Sequence, residues 1–397
     1  MIELILALVA VPIALPAISL LALTLAALGN AGAASATLAQ SAVSPARVAV
    51  LVPAHNESSN LLPTVECLKR QLGPRDRLLV IADNCSDDTA ELARGAGALV
   101  VERNNSELRG KGYALAFGVD CLRADPPDVV LVVDADCVVS DAAVACIAQH
   151  CLAAGKPVQM LNLMSAGSDA GLKLRVMEFA MLMKNLVRPL GSFRLGNACH
   201  LMGTGMALPW TLMSTAKLST GHITEDMKLG VDLAMAGYAP QFLPQVRVSS
   251  SFPLDSGVAK VQKSRWEHGH LATLTEELPT LALTALKSRK PALIVMAMDL
   301  MIPPVALYFL LLVLAALLCF TAAAVWPAWY LAAGMVAVAV AGTGLAIGLA
   351  WFHFGRHLLS VRELLSTPFY AVWKIPVYLA YFLKKRSGWV RTKRDSE

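Results

Sequence analysis

The chain has 397 residues, of which 56% are hydrophobic and only 16% are charged, and its mean hydropathy is +0.56. Soluble domains carry about 25% charged residues, so this composition argues against a wholly soluble protein. The net charge of +5 does not indicate nucleic acid as a partner, because much of it lies in a basic C-terminal stretch that follows apolar segments, as is typical of a cytoplasmic membrane surface. Eight cysteines without a C-x-x-C pair predict reduced thiols and no zinc site.

The first 28 residues are almost wholly apolar and are long enough to span a bilayer. A secretory signal peptide is the alternative, but it needs a basic N-terminal region, and the charged residue here is Glu3. We therefore expect a transmembrane helix over 1–28 with its N-terminus outside, because the positive residues follow it. The uncharged Ala/Ser/Gly stretch after it predicts a linker over 29–46.

The segment 47–290 alternates apolar runs with helical patterns and predicts one globular domain. Such alternation indicates a parallel sheet with helices on both faces, which binds ligands at the carboxyl ends of its strands. Glu57, Asp83, Asp134 and Asp136 all fall at such ends. We expect strands at 47–53, 78–83, 98–102, 130–133, 157–163 and 242–248, and helices at 58–72, 87–94, 113–122, 142–154, 171–190 and 224–236.

Two carboxylates one residue apart, Asp134 and Asp136, end the apolar run that begins at Val130. On a strand, alternation would direct both side chains to the same side. Because two like charges so close repel each other, a divalent cation bound to a phosphate-bearing substrate is their natural partner. A turn with two solvated aspartates is the alternative.

After Lys290 the chain becomes apolar again. We expect an interfacial piece, a membrane helix from about Pro304, a second one to about Trp351, and an interfacial helix over 367–383. Residues 291–383 are thus predicted as transmembrane and interfacial helices, and residues 384–397 as a basic cytoplasmic tail.

Seven short motifs follow one another along the chain. They are P-A-H-N-E at 53–57, A-D-N-C-S-D-D-T at 82–89, G-K-G at 110–112, D-A-D at 134–136, G-T-G at 203–205, T-E-D at 224–226 and Q-K-S-R-W at 262–266. Together they resemble the family 2 inverting glycosyltransferases, and more closely the membrane-bound branch that includes cellulose, chitin and hyaluronan synthases and ceramide glucosyltransferase. The resemblance covers roughly residues 47–275 and extends to the membrane layout.

This resemblance implies an α/β fold of the GT-A type, a Rossmann-like mixed sheet with helices on both faces, in a cytosolic domain flanked by N- and C-terminal transmembrane helices. It also implies roles on the donor side of the site. Asp83 would accept a hydrogen bond from the nucleotide base, Lys111 would lie near the diphosphate, and Glu57 would join the nucleotide-sugar site. Asp134 and Asp136 would hold the nucleotide sugar and Mg²⁺ or Mn²⁺. The alternative for Lys111 is a solvated lysine.

On the acceptor side, the resemblance implies that Asp226 is the general base, with Glu225 supporting or sharing its role. Ordinary stabilisation of a helix N-terminus is the alternative for this acidic pair. Arg265 would contact the diphosphate, Gln262 would help to hold nucleotide or acceptor, and Trp266 would stack on an acceptor sugar. A structural salt bridge is the alternative for Arg265, and a core aromatic is the alternative for Trp266. The glycine loop at 203–205 would line the acceptor pocket.

We therefore expect a multi-pass enzyme of the inner (plasma) membrane with a cytoplasmic active site. It would transfer a sugar from a nucleotide sugar, expected to be a UDP-sugar, to a saccharide or lipid-linked acceptor. The product would contain a β-linkage and would belong to exopolysaccharide or glycolipid synthesis. Membrane lipids and other exopolysaccharide-assembly proteins are its expected partners. The small number of spans favours limited addition over a secreted polymer.

Three alternatives remain open at this point. The first is a processive polysaccharide synthase. The second is a non-catalytic subunit of an assembly complex, against which the presence of Asp134, Asp136 and Asp226 counts. The third is a nucleotidyltransferase, which does not explain the Q-x-x-R-W motif or the membrane helices.

Overall fold

A computed structural model describes residues 2–29, 46–167, 169–219, 222, 224–252, 256–373, 375 and 378, without the side chains of 256–263 and 369–373. Residues 30–45 of the expected linker and the whole basic tail lie outside the described residues. The chain divides into two compact units, and the domain boundaries expected from the sequence remain a prediction. The helical unit comprises Met1–Gly29, Ala166–Gly196 and Phe252–Glu397, and the sheet unit comprises Asn30–Ser165 and Asn197–Ser251.

Strands and helices alternate along the chain largely as expected. The strands are β1 Val48–Ala54, β2 Arg77–Asp83, β3 Leu99–Arg103, β4 Val129–Val132, β5 Val138–Val139, β6 Val158–Ser165, β7 Met206–Pro209 and β8 Gln241–Ser251. The helices are α1 Ile2–Leu28, α2 Leu62–Lys69, α3 Thr89–Gly95, α4 Lys111–Leu122, α5 Ala143–Ala154, α6 Leu172–Leu182, α7 Arg188–Gly196, α8 Trp210–Met213, α9 Glu225–Met235, α10 Ser256–Ser288, α11 Pro291–Leu300, α12 Val305–Val325, α13 Tyr330–Ala350 and α14 Val361–Trp373.

The sheet unit contains one eight-stranded mixed sheet in the order β3-β2-β1-β4-β7-β6-β8-β5. β3, β2, β1 and β4 are parallel to one another, and β7 runs antiparallel to both of its neighbours, β4 and β6. β6 and β8 are parallel, and β5 is antiparallel to β8. The sequence does not predict β7, because its four apolar residues include a proline and show no period.

Both faces of the sheet are covered by helices, because alternate residues of the buried strands point to opposite sides. Val50 of β1 belongs to a core cluster that also contains Val65 of α2 and Ile147 of α5. Its neighbour Leu51 belongs to the opposite cluster with Leu115 of α4. All five side chains are less than 2% exposed. The central strands are therefore rigid supports for the loops at their carboxyl ends.

Asp134 and Asp136 do not lie on a strand, contrary to the prediction from the sequence. β4 ends at Val132, and Asp134 and Asp136 lie in the turn that follows, where the Cys137 N–H donates to the Asp134 carbonyl at 3.1 Å. The argument from strand alternation is therefore wrong, and a tight turn brings the two carboxylates together instead.

The helical unit contains three helices long and apolar enough to cross a membrane, counted among the described residues: Glu3–Leu28, Val305–Val325 and Pro327–Gly355. These are the segments that the sequence predicts as spans. The helix expected over 171–190 continues through a π-helical turn at Met183–Val187 and ends at Gly196. α14 begins at Val361, earlier than the interfacial helix expected from residue 367.

α1 belongs to the core of the helical unit. Its Leu20 and Leu23 side chains are wholly buried. The Tyr308 hydroxyl of α12 donates to the Ile13 carbonyl at 2.6 Å, and Arg194 of α7 donates from Nη1 to the Ala26 carbonyl at 3.0 Å. The second contact adds a donor to a carbonyl at the C-terminus of α1 that also accepts the Gly29 N–H at 3.3 Å.

Gly191 provides a test of this packing. A Cβ at Gly191 of α7 would lie 2.0 Å from the Leu23 carbonyl oxygen of α1, whereas a Cβ at Gly344 of α13 would meet nothing within 4 Å. We expect Gly191→Ala to push the two helices apart and to destabilise the protein by about 1–3 kcal/mol. Gly344→Ala is the matched control. Thermal unfolding in detergent measures the effect, and equal melting temperatures for both variants would contradict it.

Candidate active site

The predicted polar residues of the sheet unit lie at the carboxyl ends of three adjacent parallel strands. Glu57 follows β1, Asp83 is the last residue of β2, and Asp134 follows β4. Since β2, β1 and β4 are neighbours in the sheet, their ends share one edge. The sheet therefore places these residues where the sequence predicts a ligand site.

Asp83 forms a buried ion pair that the sequence does not predict. Its Oδ1 accepts a hydrogen bond from Arg103 Nη1 at 2.6 Å, and each side chain is only 10% exposed. Arg103 also donates to the Leu108 carbonyl at 2.7 Å and lies 5.8 Å from the centre of the Tyr113 ring. Asp83 and Arg103 are register partners on β2 and β3. The sequence signal for this ion pair was the opposite charge of Asp83 and Arg103 at the ends of two strands.

Glu57 lies in a loop that hydrogen bonds hold in place. The Glu57 and Ser58 N–H groups both donate to Thr89 Oγ1, at 2.8 and 2.9 Å, and that hydroxyl donates to Asp87 at 2.6 Å. Asn56 adopts a left-handed backbone with φ of 53°, and its side-chain oxygen accepts the Ser86 N–H at 2.8 Å. Glu57 is buried, at 6% exposure. Its contact with a nucleotide sugar remains a prediction.

Lys111 connects three parts of the site. It is the first residue of α4, and its ammonium donates to the Asp134 carboxylate and, at 2.8 Å, to the Gly203 carbonyl. The next residue, Gly112, packs so closely that a Cβ would lie 2.4 Å from the Leu218 carbonyl oxygen. Lys111 is therefore fixed by an ion pair and a close-packed helix start, and the interpretation as a merely solvated lysine is wrong.

Asp226 faces the same loop. Gly203 has a φ of +82°, and a Cβ added to it would lie 3.1 Å from Asp226 Oδ2 and 3.4 Å from Lys111 Nζ. Glu225 and Asp226 form the first turn of α9. The acidic pair thus stabilises a helix N-terminus and also borders the glycine loop, so the two interpretations of the pair are compatible.

The charged groups in this cluster shift one another's pKa values. Burial alone would lower the pKa of Lys111, but the carboxylates of Asp134, Glu225 and Asp226 raise it above its ordinary value. Burial and the neighbouring Asp226 charge raise the pKa of Glu225 to about 7, and Lys111 opposes this shift. Near neutral pH, Glu225 is therefore partly protonated.

The acidic turn fits a divalent cation. The ligand atoms of Asp134, Asp136 and Cys137 lie within 4.8 Å of one another. Burial and the Asp136 and Asp134 charges raise the pKa of the Cys137 thiol well above its usual range. The other two ligand groups are carboxylates, and Mg²⁺ and Mn²⁺ prefer such oxygen donors. Asp134 and Asp136 thus form a candidate metal site, and their binding of a cation remains a prediction.

The last motif lies in the helical unit. Gln262, Arg265 and Trp266 are on α10, where Arg265 and Trp266 are half-buried and the Gln262 side chain lies outside the described residues. Their predicted contacts with donor and acceptor remain predictions. In the sheet unit, sequence reasoning missed Gln159, which contacts the loop at 202–205. A lone glutamine within an apolar strand was the signal for Gln159.

The raised pKa of Glu225 predicts a pH-dependent stability. The folded protein keeps a proton up to about pH 7 that the unfolded carboxyl loses near pH 4.5, so wild-type stability falls as the pH rises through this window. We expect the free energy of unfolding of Glu225→Gln to exceed that of wild type at pH 8 by at most about 3 kcal/mol, and its melting temperature to be higher accordingly. At pH 4.5 the two proteins should melt at similar temperatures. Glu91→Gln, an exposed acid in the first turn of α3, is the control. Melting curves in EDTA measure the difference, and a gain independent of pH would contradict the assignment.

Comparison with solved structures supports the fold. Mannosyltransferase PcManGT from Pyrobaculum calidifontis, in complex with GDP-Man and Mn²⁺, aligns with 97% of this chain and 100% of its own, at 16% identity and a TM-score of 0.56. Glucosyl-3-phosphoglycerate synthase from Mycobacterium tuberculosis, in complex with Mg²⁺ and uridine-diphosphate, covers 52% of this chain and 66% of its own, at 19% identity and a TM-score of 0.36. The first likeness confirms the expected GT-A type fold.

Sequence comparison agrees with the resemblance of the motifs. The probable glycosyltransferase YdaM from Bacillus subtilis (strain 168) is 24% identical over 236 residues, which are 56% of this chain and 55% of that protein. The chain thus spans about half the length of this curated relative. A family profile described as "Glycosyltransferase like family 2" matches residues 45–269, more than half of the chain, and this range contains every predicted site residue. The chain therefore belongs to glycosyltransferase family 2.

Proposed function

We propose that this protein is a metal-dependent inverting glycosyltransferase that moves a sugar from a nucleotide sugar to a saccharide or lipid-linked acceptor and forms a β-glycosidic bond. The observation that carries the proposal is the arrangement around Gly203. Asp226 Oδ2 and Lys111 Nζ both lie within 3.4 Å of the Cβ position of this glycine, and Lys111 also contacts Asp134. A general-base candidate and the candidate diphosphate site thus share one small region.

On the donor side, Asp134 and Asp136 would hold Mg²⁺ or Mn²⁺, which when bound neutralises charge on the diphosphate leaving group. Lys111 and the free N–H groups at the start of α4 provide further positive potential for the diphosphate. Asp83 is held by Arg103, and this ion pair orients the carboxylate. An ionised carboxylate accepts hydrogen bonds only, as the imide N–H of uracil requires, and this favours a UDP-sugar.

On the acceptor side, Asp226 would take the proton of the attacking hydroxyl. Asp226 lies against Gly203, and burial together with the Asp226 charge raises the pKa of the adjacent Glu225 to about 7. A carboxylate in the position of Asp226 is suited to general-base catalysis of a single displacement at the anomeric carbon. Attack opposite to the leaving diphosphate inverts the configuration of the sugar and yields a β-linkage from an α-linked donor.

The helical unit supports a membrane setting for this reaction. Its three long apolar helices are consistent with membrane association. We keep for Trp266 the acceptor role that the motif implies. We place the enzyme in the inner (plasma) membrane with a cytoplasmic catalytic domain, in exopolysaccharide or glycolipid synthesis. Three such helices among the described residues favour limited addition to a lipid-linked acceptor.

Replacement of the general base tests the chemistry. Asp226→Asn should lower sugar transfer about 10²–10⁴-fold, because an amide cannot accept the hydroxyl proton. Asp232→Asn on the same helix is the matched control, since Asp232 pairs with Lys228 at 3.1 Å and is expected to leave transfer within a factor of about two. The assay supplies a panel of UDP- and GDP-sugars with Mn²⁺ and measures released nucleotide. Equal release by wild type and Asp226→Asn would refute the assigned base.

Product size tests the mode of addition. Purified protein, labelled donor and a membrane-lipid extract should give a product extended by one or a few sugars. Electrophoresis or chromatography of the labelled product measures its length. A ladder of long chains would instead establish a processive synthase.

A further inference from the structure

Gln159 is a buried side chain near the site whose amide nitrogen and oxygen both have hydrogen-bond partners. It lies in β6 between the apolar residues Val158 and Met160, and it is 0% exposed. Its Nε2 lies 2.8 Å from the Thr204 carbonyl, 2.9 Å from the Met160 carbonyl and 3.3 Å from the Gly205 carbonyl. Burying an amide is costly unless such partners exist, so this side chain holds a specific backbone geometry.

The orientation of the carboxamide follows from its partners. The Met202 N–H can only donate, and it lies 2.8 Å from Gln159 Oε1. The amide nitrogen must therefore face the carbonyls of the loop, as observed. Gln159 thus forms hydrogen bonds with both ends of the loop, with Met202 at one end and with Thr204 and Gly205 at the other.

This loop supports three residues of the proposed site. The Gly203 carbonyl accepts from Lys111 Nζ at 2.8 Å, and Thr204 Oγ1 accepts the Asp134 N–H at 3.0 Å. The Asp226 carboxylate lies against Gly203. A change in the path of the loop would therefore displace the ammonium, the first metal-ligand candidate and the general-base candidate together.

We propose that Gln159 is a positioning residue for sugar transfer, which sets the loop at 202–205 so that Lys111, Asp134 and Asp226 keep their relative places. This inference rests on the proposed glycosyltransferase function and adds to it a residue that touches none of the reacting groups. A site is only as well ordered as the side chains that support it, and misplacement by about 1 Å costs about 100-fold in rate.

Gln159→Met tests the proposal, because methionine has a similar volume and cannot make any of the hydrogen bonds. Gln241→Met is the matched control: Gln241 lies on β8, its Cα pairs with Val158, and its side chain contacts His150. We expect Gln159→Met to lower kcat by about 100-fold, to weaken Mn²⁺ binding measured by electron paramagnetic resonance, and to move the acidic limb of the pH profile upward as Lys111 leaves the carboxylates. Gln241→Met should resemble wild type in all three measurements.

A purely structural role predicts something else. It would lower the melting temperature and the active fraction of Gln159→Met but leave the pH midpoint and the Mn²⁺ affinity of the folded fraction unchanged, and this result would overturn the proposal.

A second pair of variants decides the matter if Gln159→Met does not fold. Thr204→Val removes the hydroxyl that accepts the Asp134 N–H, whereas Thr204→Ser keeps it. We expect Thr204→Val to bind Mn²⁺ at least about tenfold more weakly than Thr204→Ser. Equal affinities would overturn the proposal. Absence of transfer by wild type with every donor would count against the proposed function instead, and the Mn²⁺ measurements would still report on the loop.

Discussion

The ion pair between Lys111 and Asp134 is the interaction on which the candidate site depends. Asp134, Glu225 and Asp226 bring negative charge to one edge of the sheet, and partly buried carboxylates repel one another unless a cation or a proton intervenes. Lys111 provides that cation. Its backbone is set by the close approach of Gly112 to Leu218, and its ammonium has a second acceptor in the Gly203 carbonyl. The position of the glycine-flanked Lys111 thus determines how well the repulsion among these three carboxyl groups is compensated.

Rigid strands fix the positions of these charged side chains. β1, β2 and β4 are buried on both faces, and the polar residues leave the sheet within three residues of the strand ends. Short loops at such ends inherit the fixed positions of the strands, and their own conformations are pinned by left-handed residues such as Asn56 and Asn84, both with a φ of 53°. The same edge therefore brings the buried Asp83–Arg103 pair and the Lys111–Asp134 pair onto one scaffold.

Much of this could be predicted from the sequence, because the relevant signals are local. An apolar run followed by a carboxylate marks the end of β2 at Asp83, and the G-K-G motif marks the start of α4. What could not be predicted depends on pairing across the sheet. Arg103 matters because β3 lies in register beside β2, and Gln159 matters because β7 places the loop that precedes it beside β6. In the sequence, a lone glutamine in a strand is equally consistent with a solvent-facing position.

The acidic pair at the start of α9 shows how local and long-range effects combine. A helix N-terminus stabilises negative charge, and Lys111 does so too, yet the pKa of Glu225 is raised to about 7. Burial and the charge of Asp226 must therefore outweigh both stabilising effects. The two carboxylates are adjacent in sequence, but Asp226 is the one that lies against Gly203, beside the ammonium of Lys111. This position, and not the chemistry of the carboxyl group, makes Asp226 the stronger candidate for the base.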